Sequence, residues 1–140
     1  MTPAGLARVH KAAFAKHGAW DEAAFASLLD QPGVNLIGNT RSFALIRVTL
    51  DEAELLTITT SPDYQRAGRG AKTLAAAEQA ARRLGALNMF LEVAEDNTPA
   101  RALYHRTGYA QVGRRPGYYR RSPEKAVAAI ILRKALSTSI

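Results

Sequence analysis

Gly68 and Gly70 stand two residues apart in the run Tyr64-Gln65-Arg66-Ala67-Gly68-Arg69-Gly70-Ala71-Lys72. The run lies between an apolar stretch suited to a strand, Leu55 to Thr60, and one suited to a helix, reaching Leu84. Neither glycine carries a Cβ, so the backbone of the turn can approach a bound group closely. A helix starting there aims its unpaired N–H groups and the positive end of its dipole into the turn, where a phosphate is the favoured occupant. The run therefore predicts a phosphate-bearing cofactor. A nucleotide-triphosphate loop is excluded, because Arg66 and Ala71 occupy both positions where that motif requires glycine. A dinucleotide fingerprint beginning at Gly68 fails at its third glycine, which is Thr73 here. Cysteine is absent, which excludes disulfides, thiolate metal sites and a cysteine nucleophile. His10, His17 and His105 have no metal-ligand spacing, so no metal is expected.

The elements that must hold this turn can be read from periodicity. Pro3 to His17 carries Leu6, Val9, Ala13 and Phe14 at helical spacing, and a second helix runs from Asp21, as N-cap, to a stop at Gln31-Pro32-Gly33. Val34 to Gly38 and Ser42 to Leu50 read as strands joined by Asn39-Thr40-Arg41, and Leu55 to Thr60 as a third after an Asp51-Glu52 turn. The helix after the glycines has an apolar stripe of Leu74, Ala77, Ala81 and Leu84, with Gly85 as its C-terminal cap. Leu87, Met89, Leu91 and Val93 then alternate with more polar neighbours, predicting a strand parallel to the one before the turn. Thr98-Pro99 reads as N-cap and N1 of a helix ending at Gly108. Tyr109 to Val112 and Val127 to Leu132 read as two final strands separated by a loop, Arg114 to Glu124. A mixed α/β sheet flanked by helices results.

The 140 residues suit one domain, and 47% apolar content is ordinary for a globular chain. Met1 to Ala15 lacks the apolar run of a signal peptide, and 18 consecutive apolar residues occur nowhere. A cytoplasmic location is expected. The net charge of +7 resides wholly after residue 70: seven basic and seven acidic residues precede it, and twelve and five follow. Such asymmetry suits nucleic acid or a solvated face around a phosphate site, and the latter is preferred.

The pattern Gln65-x-x-Gly68-x-Gly70 between a mid-chain strand and a helix resembles the acetyl-CoA signature of the GNAT acetyltransferase superfamily. Leu91-Glu92-Val93 followed by Asn97, and Ala102-Leu103-Tyr104 followed by Gly108-Tyr109, agree with it in order and spacing. Trp20-Asp21-Glu22 with Phe25, Leu50-Asp51-Glu52-Ala53, Pro62 to Arg66 and Arg115 to Tyr119 are similar to the RimI-like enzymes of that superfamily, which acetylate the N-terminal alanine of a small-subunit ribosomal protein. The chain departs from them at Ala128, where an acidic residue is common, and in the polar run Thr59-Thr60-Ser61.

The resemblance implies the GNAT fold, an α/β architecture whose mixed central sheet contains a splayed parallel strand pair. It implies acetyl-CoA as cofactor, with backbone groups of Ile58, Thr59 and Thr60 along it and Gln65, Arg66, Ala67, Gly68, Arg69, Gly70 and Ala71 around its pyrophosphate. Asn97 is implied as a further cofactor contact, though its place before Thr98-Pro99 equally suits a capping residue. Glu92 resembles the proton acceptor, and Tyr104 the donor to the departing thiolate. Tyr118 and Tyr119, beside Pro116-Gly117, are expected at the substrate entrance. The partner implied is a protein N-terminus, acetylated directly since no cysteine can carry an acyl group. A small amine or a lysine side chain is the alternative acceptor. A different class of function, binding to RNA or the ribosome, would use Arg114, Arg115, Arg120 and Arg121 interleaved with Tyr118 and Tyr119.

Overall fold

A computed structural model of the chain describes residues 1–14, 19–65 and 68–136. Two helices, α1 (Pro3–Ala13) and α2 (Glu22–Leu29), precede three antiparallel strands, β1 (Val34–Gly38), β2 (Ser42–Thr49) and β3 (Glu52–Thr60). A 3₁₀ turn, Pro62–Tyr64, leads to α3 (Arg69–Arg83), then β4 (Asn88–Ala94), α4 (Thr98–Arg106), β5 (Ala110–Ser122) and β6 (Lys125–Ala135). The six strands form one mixed sheet in the order β1-β2-β3-β4-β6-β5, with β3 and β4 its parallel pair.

Local chemistry sets most of these boundaries. Asp21 caps α2 by accepting the Ala24 N–H at 2.8 Å. Gly85, at φ +99°, ends α3, and the N–H of Ala86 reaches back to the carbonyl of Ala81. Leu74, Ala77 and Ala81 are buried, as the stripe predicts, but Leu84 is the C-cap and half exposed. The strand expected from Leu87 begins at Asn88, and Leu87 is half exposed too. Other corrections are of similar size. β3 starts at Glu52 because the turn falls at Leu50, which takes φ +56°, and Asp51. The cap of α4 is Asn97, not Thr98, because its Oδ1 accepts the Ala100 N–H at 3.3 Å; Pro99 then lies one position deeper. The expected run of α1 to His17 passes Phe14, its C-cap, into residues 15–18, outside those described.

The largest correction is the segment Arg114 to Glu124, read as a loop but folded as strand as far as Ser122, with Pro123 and Glu124 as the turn, so that β5 and β6 form one long hairpin. Pro, Gly and charge argued against a strand, yet β5 is the sheet edge, where such residues are tolerated. Pro116 and Gly117 fall within a register shift between Arg115 and Tyr119, where no ladder hydrogen bond is needed.

The main core lies between the sheet and α3 with α4, and includes Ile46, Leu55, Leu74, Met89, Leu91, Tyr104, Ile130 and Leu132. A smaller core on the other face packs Leu6, Phe25 and Phe43. Buried beside it, His10 has its ring stacked on Trp20 and edge-on to Phe25. Its Nδ1 accepts the Trp20 N–H at 3.0 Å, so the ring is neutral with its proton on Nε2, 3.4 Å from Thr57 Oγ1. Burial pushes its pKa down to about 4 from 6.5. The unfolded chain gains a proton near pH 6.5 that the folded chain refuses until about pH 4, so stability is full above the first value and falls toward the second. The expected loss is about 3 kcal/mol across this window. Denaturant midpoints at pH 7.5 and 4.5 check it, and His10→Gln should flatten most of the difference.

Candidate active site

The sheet opens between β3 and β4. Their parallel pairing covers only Glu52, Ala53 and Glu54 against Asn88, Met89 and Phe90. Beyond it β4 stays paired with β6 as far as Ala94, whereas β3 stays with β2 as far as Thr60, so the two strands part. A β-bulge causes the divergence: Leu55 pairs with Ile46 and Thr57 with Leu45, leaving Leu56 with no opposite number. One extra residue bends its strand and increases its twist. It also flips the pleat. Ala53 and Leu55 before it, and Ile58 and Thr60 after it, face α3, while Thr57 and Thr59 turn to the α1 side.

That flip accounts for the polarity of this strand end. Thr59, 1% exposed, bonds Thr57 at 3.0 Å, and Thr57 meets His10. On the other face Ser42 Oγ joins Thr60 Oγ1 at 3.0 Å and Thr73 Oγ1 at 2.7 Å. Each hydroxyl has a partner, so polar side chains are held where no β4 strand covers them.

The glycine turn sits at the wide end of the opening. Gln65 ties it to β3 by donating from Nε2 to the Thr60 carbonyl at 3.0 Å. Arg66 and Ala67 lie outside the described residues. Gly68 takes φ +74°, a left-handed conformation, and a Cβ added there meets nothing within 4 Å. At Gly70 an added Cβ would make ordinary contacts of 3.7 Å with Leu103 Cδ2 and 3.9 Å with Thr60 Oγ1. Internal packing thus does not demand glycine at position 70. Arg69, Gly70 and Ala71 form the first turn of α3, whose N–H groups have no intrahelical acceptor.

Two of the expected side chains lie on opposite sides of β4. Tyr104, on α4, is buried in the main core that also holds Leu91 and Val93, and stands edge-on to Tyr109, with centroids 5.7 Å apart. Gly108 turns the chain so that the Tyr109 N–H bonds the Tyr104 carbonyl at 2.9 Å, which sets the two rings together. Burial raises the Tyr104 phenol to about 12. The Tyr109 hydroxyl donates to Glu78 Oε2 at 2.8 Å, and Lys134 Nζ lies 2.9 Å from Glu78 Oε1. Burial, then the Glu78 carboxylate, pushes the Tyr109 phenol well above its ordinary value.

Glu92, on the other face of β4, borders a groove of about 280 Å³ together with Arg47, Thr49, Glu52, Glu54 and Arg115. Its Oε1 lies 3.4 Å from an Arg115 guanidinium nitrogen. The Tyr119 phenol is raised by burial and then by the Glu92 charge. Tyr118 packs edge-on to Tyr119 at 5.0 Å and is exposed; neither tyrosine lines the groove. Arg47, Glu52 and Glu54 carried no site role in the sequence, and Arg115 was assigned only in the RNA-binding alternative. Alternation along β3, with Ala53 inward, was the available signal for the two glutamates. Asn97 caps α4 and lies between β4 and the helix of Tyr104.

The basic hairpin is largely engaged within the molecule. Arg114 grips Glu95 at 2.7 and 3.3 Å, and Arg121 grips Asp96 at 3.1 and 2.9 Å, both through two nitrogens. Each pair holds its carboxyl below the usual range. Arg115 meets Glu92 and Arg120 bonds the Pro123 carbonyl, so three of the four arginines are paired with a carboxylate of the same chain. Among the described residues no group of three His, Asp or Glu is placed to hold a metal ion, and no helix is long and apolar enough to cross a membrane.

Comparisons with known proteins agree with this geometry. A model of the acetyltransferase (GNAT) family matches residues 7–109. The [ribosomal protein bS18]-alanine N-acetyltransferase of Escherichia coli (strain K12) is 36% identical over 104 residues, 71% of this chain and 70% of that one. The crystal structure of the ribosomal-protein-S18-alanine N-acetyltransferase from Escherichia coli is similar with a TM-score of 0.84 and 30% identity, covering 96% of this chain and 88% of that chain. The fold also recurs, at 16% identity and a TM-score of 0.76, in yncA from Salmonella typhimurium, solved with its cofactor acetyl-CoA and matched over 98% of this chain and 90% of that one. Because the family match spans the bulged strand, the glycine turn and both strands and helices that flank the opening, the chain belongs to the GNAT acetyltransferase family, among its RimI-like members.

Proposed function

We propose that this acetyltransferase moves the acetyl group of acetyl-CoA directly onto the α-amine of a protein N-terminus, that of an alanine-initiated small-subunit ribosomal protein. The observation that supports the reading is the opening between β3 and β4, with Glu92 on one face of β4 and Tyr104 in the core against the other. The named activity of the relatives that share 36% and 30% identity supports the choice of acceptor.

The residues present fit acetyl-CoA. An unpaired edge from Leu55 to Thr60 offers backbone donors and acceptors to an extended arm, and the open space beside Gly68 adjoins the N–H groups of Arg69, Gly70 and Ala71, suited to a pyrophosphate. When bound, acetyl-CoA supplies an activated acetyl thioester. Ile58, Thr59 and Thr60 orient it, Gln65 keeps the turn against β3, and Asn97 adds a contact beyond its capping bond.

Glu92 takes the proton of the incoming amine on a carboxylate oxygen, directly or through water. Little basicity is required: at pH 7.5 an α-amine loses its proton at a cost below about 1 kcal/mol, whereas a lysine costs about 4. Tyr104 Oη retains its proton throughout the neutral range, as a pKa of about 12 requires, and gives it to the departing sulfur. Tyr118 and Tyr119, on the strand that carries Arg115, line the entrance for the peptide, and the groove beside Glu92 receives the residues after its first.

The test is acetyl-CoA turnover on a peptide beginning with alanine, compared with the same peptide blocked at its N-terminus and containing lysine. Reaction confined to the free N-terminus is expected. Equal rates, or reaction on the blocked peptide alone, would overturn the acceptor assignment.

A further inference from the structure

Arg41, in the turn between β1 and β2, and Arg69, in the first turn of α3, meet at one aromatic ring. The guanidinium carbon of Arg69 lies 4.9 Å from the centroid of Tyr64, and that of Arg41 lies 5.2 Å from it. The backbone holds this cluster in place. Ser61 N–H donates to the Arg41 carbonyl and Tyr64 N–H to the Ser61 carbonyl, both at 2.8 Å, so the 3₁₀ turn is anchored to the β1–β2 turn.

The cluster is positive without internal compensation. Neither arginine has a carboxylate partner among the described residues, and Asp63, beside Tyr64 in sequence, pairs with neither. Two cations held against one ring repel each other, and the nearby N-terminus of α3 adds to the positive field. An anion with several acceptor oxygens relieves all three, and a phosphate monoester matches the forked donors of arginine. The contrast with Arg114 and Arg121, each gripped by a carboxylate, is sharp.

We propose that Arg41 and Arg69 bind the 3′-phosphate on the ribose of coenzyme A, so that the protein selects the 3′-phosphorylated cofactor. The inference rests on the acetyl-CoA reading above. Arg69 links the two phosphate sites: its backbone N–H belongs to the turn assigned to the pyrophosphate, and its side chain reaches Tyr64. The same ribose carries both phosphates in the cofactor, so the second must lie beside the first.

Titration calorimetry with coenzyme A and 3′-dephospho-coenzyme A at one ionic strength tests this. The wild-type protein is expected to bind coenzyme A roughly 10- to 100-fold more tightly, the worth of one or two charge-assisted hydrogen bonds. The variant Arg41→Ala, outside the turn assigned to the pyrophosphate, should lose most of this preference while keeping its affinity for the dephospho form, which also shows that the turn remains folded. A wild-type protein indifferent to the 3′-phosphate, or a variant that weakens both ligands equally, would overturn the proposal and leave the acetyl-CoA reading standing. Failure of both ligands to bind the wild type would overturn the two together.

Discussion

Replacing Tyr104 by phenylalanine is expected to lower kcat by about 10²- to 10⁴-fold while changing the acetyl-CoA Kd by less than about threefold. The substitution removes one oxygen from a ring that is otherwise held by packing: Tyr104 is 6% exposed, lies in the main core and stands edge-on to Tyr109. Phenylalanine keeps the ring, its volume and the edge contact, so the fold and the cofactor site are preserved. What disappears is a proton that burial keeps on the oxygen up to about pH 12. Single-turnover rates with saturating peptide, beside calorimetric binding of acetyl-CoA, separate the two quantities. Unchanged turnover would remove Tyr104 from the proton transfer, and an equal loss of binding would make its role one of packing.

Lys134→Met is expected to destabilise the protein by about 3 to 5 kcal/mol near neutral pH, because it strands a charge in the core. Glu78 is 5% exposed and is compensated by the Lys134 ammonium at 2.9 Å and the Tyr109 hydroxyl at 2.8 Å. Methionine leaves the hydroxyl alone to serve the carboxylate. The paired change Glu78→Leu/Lys134→Met removes both charges and should recover most of the loss, as replacing a whole buried pair commonly does. Denaturant unfolding of the two single variants and the double variant gives the coupling energy. Additive effects would show that the two charges do not sense each other. Since Tyr109 joins this network and also packs on Tyr104, Lys134→Met should lower kcat further than its effect on peptide KM.

The glycine turn was the most legible feature of the chain because its meaning is local. A left-handed Gly68, a helix N-terminus beginning at Arg69 and the strand before them lie within some 15 residues, and each follows from propensity, capping or backbone sterics. The same holds for α2 with its Asp21 cap and for the alternation of β4. Errors arose where a neighbour distant in sequence decided. Arg114 to Glu124 looks like a loop by composition, and becomes strand as far as Ser122 because β6 supplies the partner and an edge position tolerates its proline. Leu84 and Leu87 fit apolar patterns but fall at the ends of their elements, where the sheet no longer covers them.

By itself the amino-acid sequence determined the fold class, the family and the position of the glycine turn, because these depend on spacing along the chain. Only the tertiary structure decided where the sheet opens, through a bulge at Leu56 that exists only as a mismatch of register with β2. It alone brought Arg115 to Glu92, set Glu78 and Lys134 behind Tyr109, and gathered Arg41 and Arg69 on Tyr64. Each of these is a contact between residues far apart in sequence or on separate elements, and its energy depends on burial and distance, which only folding supplies.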